Sequence, residues 1–458
     1  MYETKEGGFS LIVVVNSDPV IESIVGTQEI KDIEYCWSQY VLCNECDDGL
    51  LIYNTLTCEL IFLISEETRD FASNQQLIKK WFLVPKDFDE FSYAKKIKRI
   101  RQLVYKSKIK NKMHSSIEKV WILTTTACNA HCFYCHENGI PYMQMSKKTA
   151  EDITRYIEKK CFKKNIHIMW YGGEPTINDK VIDIISQAMK RKGIVYSSSM
   201  ISNGYLFDEQ MVQKSINLWH LEEIQITLDG LENTYNTVKG YSYKDCNPFF
   251  RVLNNIYLLL KNGIKVKVRL NIDDYNEEEL FDLSDLLIDK FGNFFNFSIY
   301  SAPLFEECLG TNNIRSEIKR KQVYKSHYRL SEKLKQANVI FKTEIPRTMP
   351  SEARCVAVSN VPVIFPNGQL AFCHDYVPGI LSGDIYSNEP SVNKRIEYTK
   401  CLLEKKECRD CLKYPQCIRL EKCFNNQCNI EIINEWIWKT KNEMVWEYEK
   451  YIKRALDF

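Results

Sequence analysis

The chain has 458 residues, enough for about three domains of ordinary size. Its 61 lysine and arginine residues nearly balance its 60 aspartate and glutamate residues, so no large single-sign field exists and we do not expect nucleic acid as a main partner. No apolar run is long enough to span a bilayer and no secretory signal is visible, which predicts a cytoplasmic protein without a membrane partner.

The first 112 residues are predicted to form a strand-rich module followed by helices. Short apolar runs typical of strands occur at Tyr40–Leu42, Leu50–Tyr53 and Leu60–Ile64. The segments 74–82 and 93–105 have helix-like spacing of apolar residues. We interpret the many basic residues between 95 and 112 as a solvated helix face that leads into a linker.

From Lys119 onward, apolar strand-like runs alternate with helical segments. The predicted strands are Val120–Leu123, His167–Trp170, Ile194–Met200, Ile224–Leu228, Val266–Leu270 and Phe295–Tyr300. The predicted helices are Lys147–Lys160, Lys180–Lys192, Asp208–Leu218, Phe249–Lys261 and Glu277–Phe291. Six such units with right-handed crossovers predict an α/β domain over residues 113–345, a partial (β/α)6 TIM-like barrel with its chemistry at the carboxyl ends of the strands.

The chain contains 18 cysteines, which in a reducing compartment indicate metal binding rather than disulfides. Cys128, Cys132 and Cys135 follow the first barrel strand directly, with Tyr134 just before the third cysteine. A Cys-x3-Cys-x2-Cys loop presents three thiolates and cannot complete a four-cysteine site locally. The alternative is a zinc site that His131 or His136 completes.

This loop resembles the cluster-binding signature of the radical S-adenosylmethionine (SAM) superfamily. The resemblance implies that the three cysteines hold a 4Fe–4S cluster, whose fourth iron stays open for SAM. It also implies that the reduced cluster cleaves SAM to a 5′-deoxyadenosyl radical, which abstracts hydrogen from a substrate carbon. The cofactor supplies the radical chemistry, while the protein orients the reactants and excludes water.

Further polar and glycine motifs follow successive predicted strands, where the same resemblance places cofactor contacts. Each motif alone reads equally well as an ordinary turn, but their common register supports a shared site. The cofactor-binding residues that the resemblance implies are Tyr134, Gly172, Gly173, Glu174, Pro175, Ser202, Asn203, Asp229, Arg269 and Asn271. Gly172 and Gly173 would let backbone approach the methionine amino group.

The second group of cysteines lies within residues 346–458 and resembles the twin-cluster SPASM extension of radical SAM enzymes. The resemblance implies an outer auxiliary 4Fe–4S cluster on Cys408, Cys411, Cys417 and Cys428. It implies an inner cluster on Cys355, Cys373 and Cys423, with an open iron or Cys401 as the fourth ligand. Five residues rather than the usual three separate Cys417 from Cys423. A zinc ribbon is the alternative, because the Cys408–Cys411 spacing is equally typical of zinc.

The segment from Leu50 to Thr57 resembles the opening segment of SPASM-type maturases of ribosomally synthesised peptides. This suggests that residues 1–112 recognise the leader of a precursor peptide, which an exposed sheet edge would bind as an added strand. Where those relatives often have glycine, this chain has Cys58, which we predict to be a buried small residue. Cys36, Cys43 and Cys46 are interpreted as structural thiols, with zinc binding as the alternative.

Three functional hypotheses follow. The favoured one is a peptide maturase that forms a thioether or carbon–carbon cross-link, using three 4Fe–4S clusters, SAM and an electron donor such as flavodoxin or ferredoxin. The second is an anaerobic sulfatase-maturing enzyme that forms formylglycine. The third is a non-catalytic cluster or zinc scaffold. The catalytic base cannot be named from spacing, and the aromatic-rich terminal helix Glu435–Leu456 is interpreted as packing.

Overall fold

The structure is a computed structural model of the chain. It describes residues 12–17, 19–46, 49–64, 74–112, 116–163, 165–243, 246–304, 316–341, 361–374, 381–386, 392–400, 404–417, 419–421, 423 and 428–456.

The amino-terminal part forms two small antiparallel sheets with helices packed beside them. Its elements are β1 (Ile12–Asn16), α1 (Pro19–Val25), β2 (Tyr35–Trp37), β3 (Val41–Cys46), β4 (Gly49–Asn54), β5 (Glu59–Ile64), α2 (Gln75–Lys79), β6 (Leu83–Pro85) and α3 (Glu90–Lys112). The larger sheet has the order β1-β5-β4-β3, and β2 pairs with β6. Strand β3 is therefore an edge of its sheet.

The central part is a partial β/α barrel, as the alternation of strands and helices predicts. Its strands are β7 (Lys119–Leu123), β8 (Asn165–Tyr171), β9 (Val195–Ser202), β10 (Leu221–Leu228), β11 (Lys265–Ile272) and β12 (Phe297–Pro303). They pair in parallel and in chain order from β7 to β12. The helices between and after them are α4 (Lys147–Lys160), α5 (Asp179–Arg191), α6 (Glu209–Asn217), α7 (Glu232–Lys239), α8 (Pro248–Lys261), α9 (Glu279–Phe291) and α10 (Glu317–Gln336).

Alternate side chains of the barrel strands meet two different environments. Outward-facing residues such as Ile122, Ile168 and Val268 are fully buried beneath the helices. Most inward-facing residues of β8 to β12 keep intermediate exposure, for example Met169 and Gln225. Because a packed barrel interior would bury both faces, these strands surround an open space, which we call the lumen.

The carboxy-terminal part extends the barrel sheet at its β7 edge. Its elements are β13 (Val363–Ile364), β14 (Gln369–Ala371), β15 (Leu381–Asp384), α11 (Val392–Tyr398) and α12 (Ile430–Leu456). Strand β13 pairs in parallel with β7 and forms a hairpin with β14. The barrel sheet thus continues into the cysteine-rich region, which brings the two groups of cysteines to one side of the molecule.

The amino-terminal and carboxy-terminal parts share hydrophobic cores. Met444 of α12 is fully buried against the β1-β5-β4-β3 sheet, and the Tyr448 ring stacks on Phe62 with centroids 4.5 Å apart. Trp446 is 8% exposed. The aromatic residues of this helix therefore serve packing, as we interpreted them.

Two local expectations differ from the structure. Strand β12 begins at Phe297, because Phe295 lies in the preceding turn and is 96% exposed. Helix α10 was not predicted, because its buried stripe includes the polar residues His327 and Ser331 among apolar ones. The Ser301 hydroxyl lies 2.7 Å from His327 Nδ1 and 3.1 Å from the Ser331 hydroxyl, so hydrogen bonds allow this polar stripe to be buried against β12.

The basic face of α3 is only partly solvated. Arg101 is 6% exposed and donates to the carbonyl oxygens of Leu56 and Pro415. Lys95 Nζ lies 2.5 Å from a Glu404 carboxylate oxygen. This helix therefore binds the cysteine-rich region instead of acting as a free linker. None of the helices in the described part of the chain combines the length and apolar composition that a membrane crossing requires.

Candidate functional site

The loop that carries the first three cysteines leaves the carboxyl end of β7. Thr124 and Thr125 are buried at its start, and the Thr125 hydroxyl donates to the Met143 carbonyl oxygen at 3.1 Å. The Met145 amide donates to the Thr124 carbonyl oxygen at 3.0 Å, so the returning chain holds the loop closed. This loop carries the three predicted cluster ligands, Cys128, Cys132 and Cys135, and all three are partly buried.

The electrostatics of these thiols suit ligands of a positively charged centre. Burial raises the pKa of the Cys128 thiol to about 12, and the nearby Glu174, Cys132 and Cys135 contribute in the same direction. Burial also raises the pKa of Cys135 to about 11. Such thiols stay protonated at neutral pH unless bound metal compensates the thiolate. The Ala130 amide already donates to Cys128 Sγ at 3.4 Å, a contact typical of cluster ligands.

A single-ion site receives no support from the side-chain positions in the described ranges. No three histidine, cysteine, aspartate or glutamate side chains there are close enough to bind one metal ion. His131 Nδ1 lies 3.1 Å from the Gly240 carbonyl oxygen, and His136 Nε2 lies 3.1 Å from the Tyr171 hydroxyl. A 4Fe–4S cluster spreads its thiolates over the corners of a cube, so the three cysteines fit a cluster.

Gly172 and Gly173 pack directly on the backbone of the cysteine loop. The Gly173 amide donates to the Thr125 carbonyl oxygen at 3.0 Å. A Cβ atom on Gly172 would stand 2.2 Å from that oxygen, and one on Gly173 would stand 2.4 Å from the Ala127 carbonyl oxygen. Gly172 also has φ +129°, which L residues rarely adopt. These glycines therefore set the position of Cys128 through the loop that precedes it.

Glu174 is fully buried, and protein donors use its carboxylate. It accepts hydrogen bonds from the Thr176 amide and hydroxyl, from the Ser202 hydroxyl at 3.0 Å and from the Asn203 amide at 2.8 Å. Burial raises the pKa of Glu174, and these hydrogen bonds oppose the shift. Pro175 begins the short 3-10 turn that carries Thr176. Glu174 thus joins the ends of β8 and β9 in front of the cysteines.

Asn203 connects this network to the first cysteine. Its side-chain amide donates to the Asn129 side-chain oxygen at 2.7 Å and lies 3.9 Å from Cys128 Sγ. Asn129 is 4% exposed, and its amide nitrogen has no hydrogen-bond partner in the described part of the chain. A buried donor beside a thiol fits a site that a sulfur-rich and polar cofactor completes.

Asp229, Lys239 and Tyr134 form a buried polar centre behind the cysteine loop. Lys239 Nζ lies 2.9 Å from Asp229 Oδ2 and donates to the Tyr134 hydroxyl at 3.1 Å. The Tyr134 hydroxyl donates to Asp229 Oδ1 at 2.7 Å. Burial opposes the charge of Lys239, but Asp229 and Cys132 outweigh it and hold the pKa of this ammonium well above its usual value. A permanent positive charge therefore lies beside the cysteine loop.

Arg269 and Asn271 reach the same centre from β11. The Asn271 side-chain amide donates to Asp229 Oδ1 at 3.0 Å, and Arg269 Nε donates to Asn271 Oδ1 at 2.8 Å. The predicted residues from four successive strands thus converge at the carboxyl edge of the barrel. Asp229 and Asn271 are bonded mainly to each other and to protein groups, so the structure makes them supports of the site.

Four aromatic rings line one side of the lumen between the two groups of cysteines; they are Trp121, His136, Tyr171 and His374. The Trp121 and His374 rings stack with centroids 4.3 Å apart, and Tyr171 meets His374 edge-on at 5.0 Å. His136 follows Cys135 in the chain, and His374 follows Cys373. Cys373 and Cys423 both pack against the hydrophobic cluster that contains Trp121 and Tyr171.

The other carboxy-terminal cysteines form a second group. Cys408, Cys417 and Cys428 all contribute to the raised pKa of Cys411, whose main cause is burial, so these four thiols lie near one another. They are the four that the sequence resemblance assigned to one cluster. Cys355 and Cys401 lie outside the described residues, so the ligand set of the inner group stays a prediction.

The Asn-Thr-Leu-Thr segment anchors the cysteine-rich region. The Thr55 hydroxyl donates to the Leu412 carbonyl oxygen at 2.8 Å, and Gln416 Nε2 donates to the Thr55 carbonyl oxygen at 3.0 Å and the Tyr53 hydroxyl at 2.7 Å. Cys58 is 7% exposed, as predicted, and adopts φ +60°. Glycine suits a left-handed position, which explains why relatives often have it here.

Lys239 and most polar residues of the lumen were absent from the predicted site. Lys239 lies 104 residues from Cys135, and no local motif marks it. The polar lumen residues, in contrast, alternate with apolar residues along their strands. That alternation was visible in the sequence and indicates a second face that is not a hydrophobic core.

Comparison with known proteins assigns the central domain. Residues 122–287 match the Radical SAM superfamily. The GTP 3′,8-cyclase of Clostridium perfringens (strain 13 / Type A) is 29% identical over 187 residues, which are 40% of this chain and 55% of that protein. The Fe-coproporphyrin III synthase of Methanosarcina barkeri (strain Fusaro / DSM 804) is 25% identical over 171 residues, 37% of this chain and 41% of that protein. The chain spans about half the length of the curated relatives it matches.

Two solved structures share the fold over a larger part of the chain. Native anSMEcpe with bound AdoMet has a TM-score of 0.55 at 15% identity and covers 74% of this chain and 100% of its own. Streptococcus suis SuiB bound to the precursor peptide SuiA has a TM-score of 0.53 at 13% identity and covers 85% of this chain and 95% of its own. At these identities the likeness establishes a common fold.

We predict that Gly172→Ala displaces the cysteine loop. The added methyl group would clash with the Thr125 carbonyl oxygen, so we expect a loss of about 2–4 kcal/mol in unfolding free energy and incomplete iron loading at the first site. The matched control is Gly263→Ala, which has φ +84° but no atom within 4 Å and should lower stability by only about 1 kcal/mol. Anaerobic iron quantification and denaturant unfolding measure both effects. Wild-type iron and stability in Gly172→Ala would contradict the assignment.

We predict that Lys239→Met leaves the Asp229 carboxylate buried without its cation. The expected loss is about 3–5 kcal/mol in unfolding free energy, and Asp229→Asn in the same chain should recover part of it. Removing a positive charge beside Cys132 should also make the midpoint potential of the first cluster more negative. Potentiometric titration followed by EPR measures that shift. Lys214→Met, which removes a partly exposed pair with Asp179 and Asp183, is the control and should change stability by less than about 1 kcal/mol.

Proposed function

We propose that this radical SAM protein installs a thioether or carbon–carbon cross-link in a ribosomally synthesised precursor peptide, with a C-terminal SPASM domain that holds two auxiliary clusters. The observation that carries the proposal is the position of the cysteine loop, which stands at the mouth of a lumen whose inward side chains are still partly exposed. The cysteine loop thereby opens onto the partly exposed inner face of the barrel sheet, where a peptide would bind.

The residues at the carboxyl edge fit a 4Fe–4S cluster and SAM. Bound there, they would supply the 5′-deoxyadenosyl radical that abstracts a hydrogen atom. Cys128, Cys132 and Cys135 would hold the cluster, and the glycine turn and Glu174 keep these thiols in register with the strand ends. Lys239 and Asp229 hold Tyr134, and through it the loop, in one conformation. The protein contribution is therefore preorganisation.

The lumen supports a peptide over a flat heteroaromatic substrate. Its inner face carries hydroxyl, amide and charged side chains on neighbouring strands, such as Ser199, Gln225 and Tyr300. The Tyr300 hydroxyl donates to Gln225 Oε1 at 2.7 Å, so some of these groups are already ordered. Extended peptide backbone offers many donors and acceptors that such a wall satisfies.

Solved structures of both candidate classes share the fold of this chain. The SuiB complex covers 85% of this chain and the anSMEcpe structure covers 74%. A sulfatase-maturing enzyme remains the alternative, supported by the likeness to native anSMEcpe with bound AdoMet and Cp18Cys peptide. The two reactions differ in product, because a cross-link joins two residues whereas formylglycine carries an aldehyde. Oxidation of Ser to formylglycine removes two hydrogens, as a cross-link does, so the test is tandem mass spectrometry of a co-expressed precursor peptide after treatment with a hydrazide. Only formylglycine adds the hydrazide, and only a cross-link suppresses fragmentation between the joined residues.

We propose that β3 captures the leader of that peptide. Among the described residues, β3 pairs only with β4, so the other side of its backbone is available for an added strand. Deleting residues 1–110 is a poor test, because these residues share cores with α12 and with the loop around Tyr414. Point substitutions on the edge strand avoid that disturbance.

The cluster assignment predicts the iron content of cysteine variants. Wild-type protein should bind about twelve irons, and the triple variant Cys128→Ala, Cys132→Ala, Cys135→Ala should lose about four and form no 5′-deoxyadenosine. Cys161→Ala is the control, because Cys161 is buried in the barrel core away from both groups. Continued cofactor cleavage by the triple variant would refute the assignment. About one or two zinc ions with fewer than eight irons would instead identify the carboxy-terminal cysteines as a zinc ribbon.

Leader capture predicts opposite results for proline at two neighbouring β3 positions. Adjacent amides in a strand point to opposite sides, so of Cys43→Pro and Asn44→Pro one removes an outward N–H and the other a bond to β4. The variant that loses the outward N–H should abolish peptide binding with little change in stability. The variant that loses a bond to β4 should destabilise the module. Val14→Pro on β1, the opposite edge, is the control. Fluorescence anisotropy with a labelled precursor, together with thermal unfolding, measures both; full binding by both β3 variants would exclude this edge.

A further inference from the structure

At the amino ends of the barrel strands, the lumen is lined by a layer of charged and polar side chains. The proposed radical chemistry does not use these side chains. Lys119 comes from β7, His167 from β8, Glu223 from β10 and Lys267 from β11. Lys267 Nζ lies 2.6 Å from Glu223 Oε1, and its ammonium stands 3.9 Å from the centroid of the Phe341 ring. His167 makes hydrogen-bond contacts of 2.9 Å and 2.8 Å with the hydroxyls of Ser197 and Ser199.

Lys119 differs from the other members of this layer. It has no hydrogen bond or ion pair with any residue that the structure describes, although it is only partly exposed. Burial lowers the pKa of Lys119, Glu223 opposes this shift, and Lys267 reinforces it. The ammonium groups of Lys119 and Lys267 thus act on each other in a partly desolvated region, and Glu223, the carboxylate that acts on Lys119 among the described residues, is already paired with Lys267. Such a cation is stabilised when an anion enters.

The charge of the lumen is consequently positive. Lys119, Lys267 and Arg269 carry three positive charges against one negative charge on Glu223, a difference of +2 within a chain whose formal total is +1. His167 adds no charge at neutral pH, because burial lowers its pKa. Glu222, the neighbouring carboxylate, is exposed and also acts on His167. Among the described residues of this inner face, cations therefore outnumber carboxylates.

We propose that Lys119 and Lys267 bind a carboxylate of the substrate, an inference that rests on the proposed peptide function and specifies it. The carboxylate would accept charge-assisted hydrogen bonds from both ammonium groups. It would give Lys119 an ion-pair partner and Lys267 a second one beside Glu223. An amide or hydroxyl in the same place would leave Lys119 uncompensated. The layer therefore selects peptides that carry an acidic group.

The depth of the lumen fixes where that acidic group lies in the peptide. Lys119 begins β7 and Leu123 ends it, a rise of about 13 Å before the cysteine loop. The lysine side chain extends over part of this distance. At about 3.3 Å per extended residue, the carboxylate should stand two or three residues from the position that reacts. Either an acidic side chain or the carboxyl terminus of the peptide satisfies this geometry. Peptides that carry only one of these two carboxylates distinguish them.

The test uses three synthetic pentapeptides with the cluster-loaded enzyme and SAM. They are acetyl-Ala-Gly-Glu-Gly-Ala-amide, the same peptide with Gln in place of Glu, and the Gln peptide with a free carboxyl terminus. Binding is followed by NMR of 13C-dimethylated lysines, which keep their charge. We expect the Glu peptide to bind about tenfold more tightly than the blocked Gln peptide and to raise the pKa of Lys119.

Matched variants identify the groups responsible. Lys119→Gln and Lys267→Gln should each abolish most of the preference, and Lys119→Arg should retain it because the charge is kept. Lys261→Gln, an exposed lysine of α8, is the control and should bind like wild type. Tighter binding of the free-terminus peptide than of the Glu peptide would assign the layer to a terminal carboxylate.

Equal binding of the Glu peptide and both Gln peptides by wild type, or an undiminished preference in Lys119→Gln, would overturn the carboxylate assignment while leaving the peptide class intact. Failure of all three peptides to perturb any lysine signal, with dithionite-driven SAM cleavage still active, would overturn both this inference and the peptide class. Loss of cleavage itself would point to the cluster site.

Discussion

The buried ion pair between Asp229 and Lys239 is the interaction on which the site depends. Asp229 directly follows β10, Lys239 ends α7, and both hold the hydroxyl of Tyr134, which stands inside the cysteine loop. Asn271 adds a contact from β11. A buried pair of charges tolerates little movement, because separating the partners leaves an uncompensated charge in a poorly solvated place. The pair therefore holds the cysteine loop, and with it the three thiols, in one position relative to the strand ends. Its positive member also lies near enough to influence the electrons of a bound cluster.

A second constraint is the sharing of hydrophobic cores between the two ends of the chain. Tyr414 packs with Trp81 and Ala94 of the amino-terminal part, and Cys408 and Cys411 contact the same cluster. Gln416 Nε2 contacts the Tyr53 hydroxyl on β4 and, in the turn that follows β4, the Thr55 carbonyl oxygen and Cys58 Sγ, the last at 3.4 Å. The loop between Cys411 and Cys417 thus depends on residues more than 300 positions earlier. Under the proposed function, the strand edge that captures a leader shares hydrophobic cores with the region of the outer cysteines.

Under the proposed function, the lumen explains how one barrel holds both a reactive centre and a selective binding space. Outward-facing apolar residues supply the stability of the barrel, because they are buried under the helices. The inner face is then free to be polar, and its charged layer lies at the end opposite the cysteine loop. Aromatic rings on the β7 and β8 side separate that loop from Cys373. The cysteine loop, the charged layer and Cys373 are therefore arranged around one inner face by the two-residue alternation of a strand.

The sequence alone determined the features that local spacing encodes. Cysteines three and four residues apart after a strand, the glycine turn after β8 and the alternation of strands with helices all depend on near neighbours, so they predict the radical SAM barrel. The partners that complete the site are a different matter. Lys239 meets Tyr134 across 105 residues, and Gln416 meets Thr55 across 361. Lys119 and Lys267 belong to strands that become neighbours of one lumen only when the sheet curls. No local pattern records such contacts, because they arise from packing of distant elements, and only the tertiary structure decided them.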